Sequence, residues 1–298
     1  MLDSVLEYVK SCDVEIKENT NLSKISPVRI GGLASVVLYP KNTSGMIETI
    51  GYLSRNNIRY KIFGRLSNTL FCGERITRPL IKTDRLSSIQ RQGEIVEAMA
   101  GVALPLLSLK AAEYGLSGLE ELSGIPGTLG GAILGNAGAF GRSISDVIKT
   151  VTVYDTSTDS VATLDISELD FGYRASSLKY NGAVILSAEL KLVSGDTSDI
   201  RERMHYYREI RRQTQPALPS LGSTFKRPAC GYAGQLIEEC GLRGYSMGGA
   251  EISSRHAGFI VNKGEATAAD YIGLMYLAKK SVFESTGVVL EPEIEIIN

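Results

Sequence analysis

The spacing of apolar residues divides the chain into helical and extended stretches. Leu2, Val5, Leu6 and Val9 recur at helical spacing and predict a short amphipathic helix at the start. The continuous run Val36, Val37, Leu38, Tyr39 predicts a buried strand stopped by Pro40. Residues 44–56 predict a helix and 60–63 a second strand, so this part reads as an α/β unit with a crossover. A helix is expected over 105–114, where Pro105 suits the first turn and Gly115 the C-terminal cap. Strands are expected at 151–155 and 161–166, around a turn at 156–160, and again at 183–193. The pattern then becomes highly charged over 197–213, which predicts a bridging helix. Tyr271, Leu274, Met275, Ala278 and Val282 mark a last helix, opened by the capping-box pair Thr267 and Asp270 and closed by Gly287. In the closing strand, Glu291, Glu293 and Glu295 alternate with Leu290, Ile294 and Ile296, and Pro292 suits an edge position. The expected division is residues 1–195, a larger α/β domain, and 196–298, a smaller α+β domain.

Composition narrows the function classes. With 32 basic and 33 acidic residues the net charge is -1, and no basic face stands out, which argues against nucleic acid as a partner. Cys12, Cys72, Cys230 and Cys240 are scattered, without a Cys-x-x-Cys pair or a histidine at ligand spacing, so neither a disulfide framework nor a metal site is expected. The first residues lack the basic-then-apolar pattern of a signal peptide, and no stretch approaches the ~20 apolar residues of a membrane span. A cytoplasmic protein without membrane insertion is the expectation.

Candidate chemistry concentrates in a few motifs. GIPGTLGGAILGNAGAFG, residues 124–141, holds seven glycines in eighteen residues. Such a segment lets backbone approach a ligand, and N–H groups at a turn or helix start can hold a pyrophosphate without a basic side chain. A Gly-rich structural turn with no ligand explains the same composition. Neither GxGxxG nor GxxxxGK[ST] occurs, so a Rossmann dinucleotide site or a P-loop is not supported. Phe63 to Asn68, FGRLSN, follows a strand and offers a second phosphate-binding turn. Arg174 in YRAS has the chemistry to bind a carboxylate or a developing oxyanion; Ser223 in GSTFKRP sits among Lys226 and Arg227. Taken singly, these three motifs read as an ordinary turn, a surface arginine and a basic loop. Glu293 taken singly is a solvated edge-strand residue, and His256 a packed one.

Their order changes that reading. VRIGG, GxxSN, GLEELSGIPGTLGGAILGNAGAFG, YRAS, GSTFKRP, AGQLIEECGLRG, GGAEISSRHAGFIVN, ATAAD and LEPE together resemble the UDP-N-acetylenolpyruvoylglucosamine reductase (MurB) family, from about residue 19 to the C-terminus. The resemblance implies an FAD-binding α/β domain of the vanillyl-alcohol-oxidase (PCMH) type in two subdomains, followed by a smaller α+β substrate-binding domain. It further implies that the last strand returns to the N-terminal domain. By resemblance the flavin is noncovalent, NADPH is the co-substrate, and the enolpyruvyl group of a UDP-sugar is reduced to give UDP-N-acetylmuramate for peptidoglycan. Other readings are a different FAD oxidoreductase of the same fold and a non-catalytic flavin- or nucleotide-binding paralogue.

Carried over position by position, Arg174 and Glu293 would stabilise the intermediate and Ser223 would donate the proton. Lys226, Arg227 and His256 would contact the UDP-sugar. The flavin contacts would come from Gly64, Ser67, Asn68, Gly124, Pro126, Gly127, Thr128 and Gly131, with Arg29 and Ile30 nearer the edge. The chain departs from the family's usual GxGSN, because Leu66 replaces the middle glycine. If that position needs a positive φ, leucine is costly there. The chain also resembles the shorter branch, which lacks an extra substrate-capping loop.

Overall fold

The computed structural model describes residues 2–179 and 182–297, the side chains of Leu2 and Asp3 apart. It contains two compact units. The first comprises residues 1–18, 36–65 and 78–209; the second comprises 19–35, 66–77 and 210–298.

In the first unit, the helices α1 (Leu2–Val9) and α2 (Thr43–Arg55) pack on a parallel sheet. Its strand Leu80–Lys82 is flanked by Leu33–Pro40, pairing Val37 with Leu80, and by Lys61–Phe63, pairing Ile62 with Ile81. Val36, Leu38, Met46, Ile50, Leu53 and Ile81 are fully buried there, which is why these strands read as apolar runs rather than alternations. Asn42 caps α2 by accepting from the Gly45 N–H at 2.9 Å. A second, antiparallel sheet runs Ser160–Asp165, Ile148–Asp155, Ala183–Lys191, Ile95–Met99, Ile89–Gln92. The helices α3 (Leu104–Glu113) and α4 (Leu129–Leu134) contribute Leu104, Leu107, Leu129 and Ile133 to the core over this sheet. The strand expected over 183–193 ends at Lys191: the Leu192 N–H turns to the Glu94 carbonyl, and Val193–Ser194 pairs separately with Leu116–Ser117.

The helix α5 (Thr197–Thr214) covers the charged stretch, burying only Ile200 and Met204. Its Arg203 binds Glu120 at 2.6 Å and its Tyr207 donates to Glu121 at 3.1 Å. Burial pushes the Glu120 carboxyl up, but donation from Ser117, the Gly118 N–H and Arg203 brings it below its ordinary value.

The second unit has an antiparallel sheet, Ser220–Ser223, Phe259–Asn262, Ala250–Ile252, Ser246–Met247, with α6 (Ala233–Glu239) and α7 (Ala268–Thr286) supplying its apolar cover. Capping of α7 follows the sequence expectation. Asp270 N–H donates to Thr267 Oγ1 at 3.1 Å, Thr267 N–H to the Asp270 carboxylate at 2.9 Å, and Gly287 closes the helix at φ 74°. The final strand differs from expectation. It spans only Glu295–Ile297 and runs parallel to Thr69–Phe71. Leu290, Ile294 and Ile297 are buried, whereas Ile296 is exposed, so the simple alternation fails after Ile294. Pro292 has no N–H for a ladder, and the segment before Glu295 pairs instead as a bridge between Pro292 and Phe225. Among the described residues, no helix is long and apolar enough to cross a membrane.

Candidate active site

Within the first unit the glycine-rich segment is zipped to the chain at 100–104. Leu104 N–H donates to Gly127 O at 3.0 Å, Leu129 N–H to Val102 O at 2.8 Å, and Gly130 N–H to Ala100 O at 2.8 Å. This pairing leaves little room for a side chain at Gly130, whose added Cβ would lie 3.0 Å from that of Ala100. Thr128 then caps the short helix α4, accepting from the Gly131 N–H at 3.4 Å. Gly64 approaches the Thr128 side chain so closely that a Cβ there would overlap it. Gly64, Gly127, Thr128 and Gly131 are thereby gathered in one place; Gly124 and the exposed Pro126 lie on the turn leading in. Among the described residues nothing accepts from the N–H groups of Arg65, Gly127 or Thr128. A narrow backbone cradle with spare N–H donors fits the pyrophosphate of a dinucleotide such as FAD.

The turn after the strand Lys61–Phe63 continues through Leu66 at φ 58°, so the position does demand the left-handed region. That conformation costs a non-glycine residue roughly 1–2 kcal/mol. Leu66 is 2 % exposed, and burying a leucine contributes about 1.5–3 kcal/mol. Burial therefore offsets the strain, which accounts for leucine standing where a glycine was expected. Ser67 and Asn68, whose N–H groups also lack an acceptor among the described residues, complete the turn.

Arg174 belongs to the first unit. It is the second loop residue of a hairpin between Phe171–Gly172 and Ala175–Ser176, and its φ is 55°. A positive φ at this place is what a type II turn demands, and glycine or asparagine usually meets it. The guanidinium lies 5.2 Å from the centre of the half-exposed Tyr173 ring. Asn136 anchors the hairpin to the glycine-rich segment, donating to Gly172 O at 3.0 Å, while Ser176 donates to Leu134 O at 3.0 Å. Arg174 is thus tied to the segment that forms the cradle.

Ser223, Glu293 and Asn68 belong to the second unit, which joins them through backbone. Ser223 ends its strand opposite Phe259, and Thr224 N–H donates to Gly258 O at 2.9 Å. Glu293 N–H donates to Thr224 O at 2.9 Å and Lys226 N–H to Glu291 O at 2.8 Å. Asn68 completes the arrangement: its Nδ2 donates to Glu293 O at 2.9 Å, and its carbonyl accepts from Glu295 N–H at 2.9 Å. The Lys226 ammonium pairs with Glu291 at 3.1 Å and the Arg227 guanidinium lies 3.8 Å over the Tyr232 ring.

His256 stands beside this strand pair, edge-on to Phe259 at 4.9 Å between ring centres. Burial lowers its pKa below the ordinary value. Its Nδ1 accepts from the Gly258 N–H at 3.1 Å, so in the neutral ring Nε2 carries the proton and is the donor. Arg29, exposed and at φ 57°, and the buried Ile30 lie in the same unit, where Asn262 Nδ2 holds the preceding Val28 carbonyl at 2.9 Å. Among the described residues, no group of three or more His, Cys, Asp or Glu side chains could hold a metal ion. Asn136, Thr224 and Glu120 were not singled out by the sequence reading. The only signal for them was membership of the motifs NAG, GSTF and GLEELSGIPGT, since their roles depend on partners distant in the chain.

The folds and the cradle together define an FAD-dependent oxidoreductase. Residues 34–164 match a profile described as "FAD binding domain", and 214–297 match "UDP-N-acetylenolpyruvoylglucosamine reductase, C-terminal domain". The UDP-N-acetylenolpyruvoylglucosamine reductase of Caldicellulosiruptor bescii is 40% identical over 97% of this chain and 93% of its own length. That of Lactiplantibacillus plantarum is 40% identical over 95% and 94%. The crystal structure of the Thermus caldophilus reductase (MurB) superimposes with a TM-score of 0.81 at 33% identity, covering 96% of this chain and 99% of that one. The chain belongs to the UDP-N-acetylenolpyruvoylglucosamine reductase family. Glucooligosaccharide oxidase from Acremonium strictum, at a TM-score of 0.50 and 13% identity over 94% of this chain and 58% of its own, shares the fold alone.

Proposed function

We propose that this chain reduces the enolpyruvyl group of UDP-N-acetylglucosamine enolpyruvate to UDP-N-acetylmuramate, with NADPH as reductant, in peptidoglycan precursor synthesis. Bound FAD supplies the relay of hydride from NADPH to the terminal enolpyruvyl carbon. Negative charge then develops on the carbon beside the carboxylate and spreads onto its oxygens, and this chain must stabilise that charge and deliver a proton.

Arg174 meets the first need with a permanently charged, bidentate donor. Glu293 assists it, by donating from a protonated carboxyl or by orienting the guanidinium or a water. Ser223 delivers the proton; its hydroxyl is a weak acid but the acceptor is a basic enolate, and Lys226 is three residues away. Lys226, Arg227 and His256 bind the UDP-sugar, with His256 Nε2–H as a neutral donor. Gly64, Ser67, Asn68, Gly124, Pro126, Gly127, Thr128 and Gly131 hold the flavin noncovalently through backbone, with Arg29 and Ile30 at its edge. Flavin binding is assigned to the chain up to about residue 195 and substrate binding to the remainder, a division of function rather than of compactness. The two matched profiles lie on either side of it. The nucleotide substrates are those of the cytoplasm, which is the proposed location.

The observation that carries this reading is the backbone linkage of Ser223, Glu293 and Asn68, which makes a single unit of three motifs far apart in sequence. Stopped-flow spectroscopy tests it. NADPH should bleach the flavin, and the enolpyruvyl substrate should restore its colour; flavin that is reduced but never reoxidised by this substrate rejects the assignment.

A further inference from the structure

His256 sits in a slot made for it by two glycines. An added Cβ at Gly234 would lie 3.1 Å from His256 Cε1 and 2.9 Å from the Gly258 nitrogen. One at Gly258 would lie 2.9 Å from the same Cε1. The ring therefore packs on bare backbone of α6 and of Gly258. Its Nδ1 accepts the Gly258 N–H at 3.1 Å, which leaves Nε2 to carry the proton in the neutral ring. Such a slot orients the ring only if the chain that bears it is itself held.

The peptide between Arg255 and His256 is held at both ends. Its N–H donates to Ser253 Oγ at 3.3 Å, and its carbonyl accepts from Arg243 Nη2 at 3.0 Å. Because the peptide is planar, holding both groups sets the plane from which the His256 side chain departs. Arg243 Nε also donates to the Ser254 carbonyl at 2.7 Å, so one guanidinium spans two successive carbonyls, and its Nη1 pairs with Glu238 of α6. The rigid fork of an arginine can do this, whereas a lysine ammonium is a single point. Arg243 is anchored in turn. The Gly244 N–H donates to Ile252 O at 2.8 Å and the Ile252 N–H to Tyr245 O at 2.9 Å, which ties its turn to the strand that leads to Ser253.

We propose that Arg243 is a positioning residue: by clamping the Ser254 and Arg255 carbonyls it holds His256 in its slot and presents Nε2–H to the UDP-sugar. The consequence for substrate binding rests on the reductase reading, whereas the setting of the ring rests on the clamp alone.

Two variants test it in the flavin-loaded enzyme: Arg243→Met keeps the length without a donor, and Arg243→Lys keeps the charge without the fork. The side chain is 43% exposed, so both should keep a cooperative melt and their flavin. The concentration of enolpyruvyl substrate that half-saturates flavin reoxidation should rise about tenfold in both, the worth of one well-placed hydrogen bond. The rate at saturation should stay within about threefold, as for a group that binds ground and transition states alike. Combining Arg243→Met with His256→Ala should raise half-saturation no further than His256→Ala alone, because Arg243 acts through the ring. Nitrogen-15 histidine spectra give a readout independent of substrate, with only His205 and His256 to assign. At about pH 8, wild-type His256 should carry its proton on Nε2 and both variants should show a mixture of tautomers. Half-saturation within about twofold of wild type, its recovery by Arg243→Lys, or an additive double variant overturns the proposal, as does an unchanged tautomer in both variants. Wild-type enzyme whose flavin the enolpyruvyl substrate never reoxidises would overturn the reductase reading instead, leaving the tautomer to decide the clamp.

Discussion

The hairpin that carries Arg174 and the paired segments that carry Ser223 and Glu293 hold their candidate catalytic side chains in opposite ways. Arg174 sits at the tip of a two-residue loop, in a left-handed conformation that favours glycine, and its hairpin is tethered from outside the loop by Asn136 and Ser176. Ser223 and Glu293 are held by an interlocked backbone, beside which the Thr224 hydroxyl is buried without a hydrogen-bond partner among the described residues. The first region concentrates its cost in one backbone angle, the second in a buried hydroxyl left unsatisfied. An arginine is long and carries a diffuse charge, so a strained loop tip can present it. A serine that must deliver a proton has almost no reach, and its backbone must be in the right place.

This contrast is open to being broken. The largest effect is expected from Ser223→Ala: reoxidation of reduced flavin by substrate should slow by about 10²–10⁴, the range of a lost general acid, with reduction by NADPH nearly intact. Equal loss in both steps would make Ser223 structural. Arg174 comes next. Arg174→Ala and Arg174→Gly should both lose on the order of 10²–10³ in turnover. Thermal or denaturant melts should nevertheless show the glycine variant more stable than the alanine variant by about 1 kcal/mol, because only glycine relieves the positive φ. Identical melts would mean that the loop stores no strain.

Leu66→Gly sharpens the same point from the other side. Relief of the φ of 58° is smaller than the loss of a buried leucine, so the variant should be destabilised by roughly 1–2 kcal/mol in denaturant titration. The smallest effect concerns pH. Burial depresses the His256 pKa in the folded chain below its ordinary 6.5. The unfolded chain therefore binds the proton first, and stability should fall as pH drops below about 6.5. His256→Gln should flatten that dependence in melts taken between about pH 7 and 5; an unchanged slope would assign it to other groups.

Much of the architecture was legible along the chain. The apolar runs at 36–39 and 60–63 mark the strands Leu33–Pro40 and Lys61–Phe63, and capping chemistry gave both ends of α7, because these signals depend on residues within a turn or two of each other. The end of the chain was misjudged. Alternation from Leu290 to Ile296 suggested one strand, whereas pairing with Thr224 and Lys226 and then with Asn68 shifts the register partway along. Leu66 could be flagged from the motif, but its burial, which makes leucine tolerable, depends on packing that no local pattern encodes.

The candidate site divides along the same line. The order of GIPGT, YRAS, GSTFKRP and LEPE sufficed to indicate the family and to nominate Arg174, Ser223 and Glu293, since motif identity is a property of the chain itself. That Asn68 and Thr224 clasp Glu293 from two sides and that Arg174 bears a positive φ were decided only by tertiary structure. The physical reason is sequence separation. Asn68 and Glu293 stand 225 residues apart, and a hydrogen bond closing so long a loop leaves no trace in either residue's neighbours.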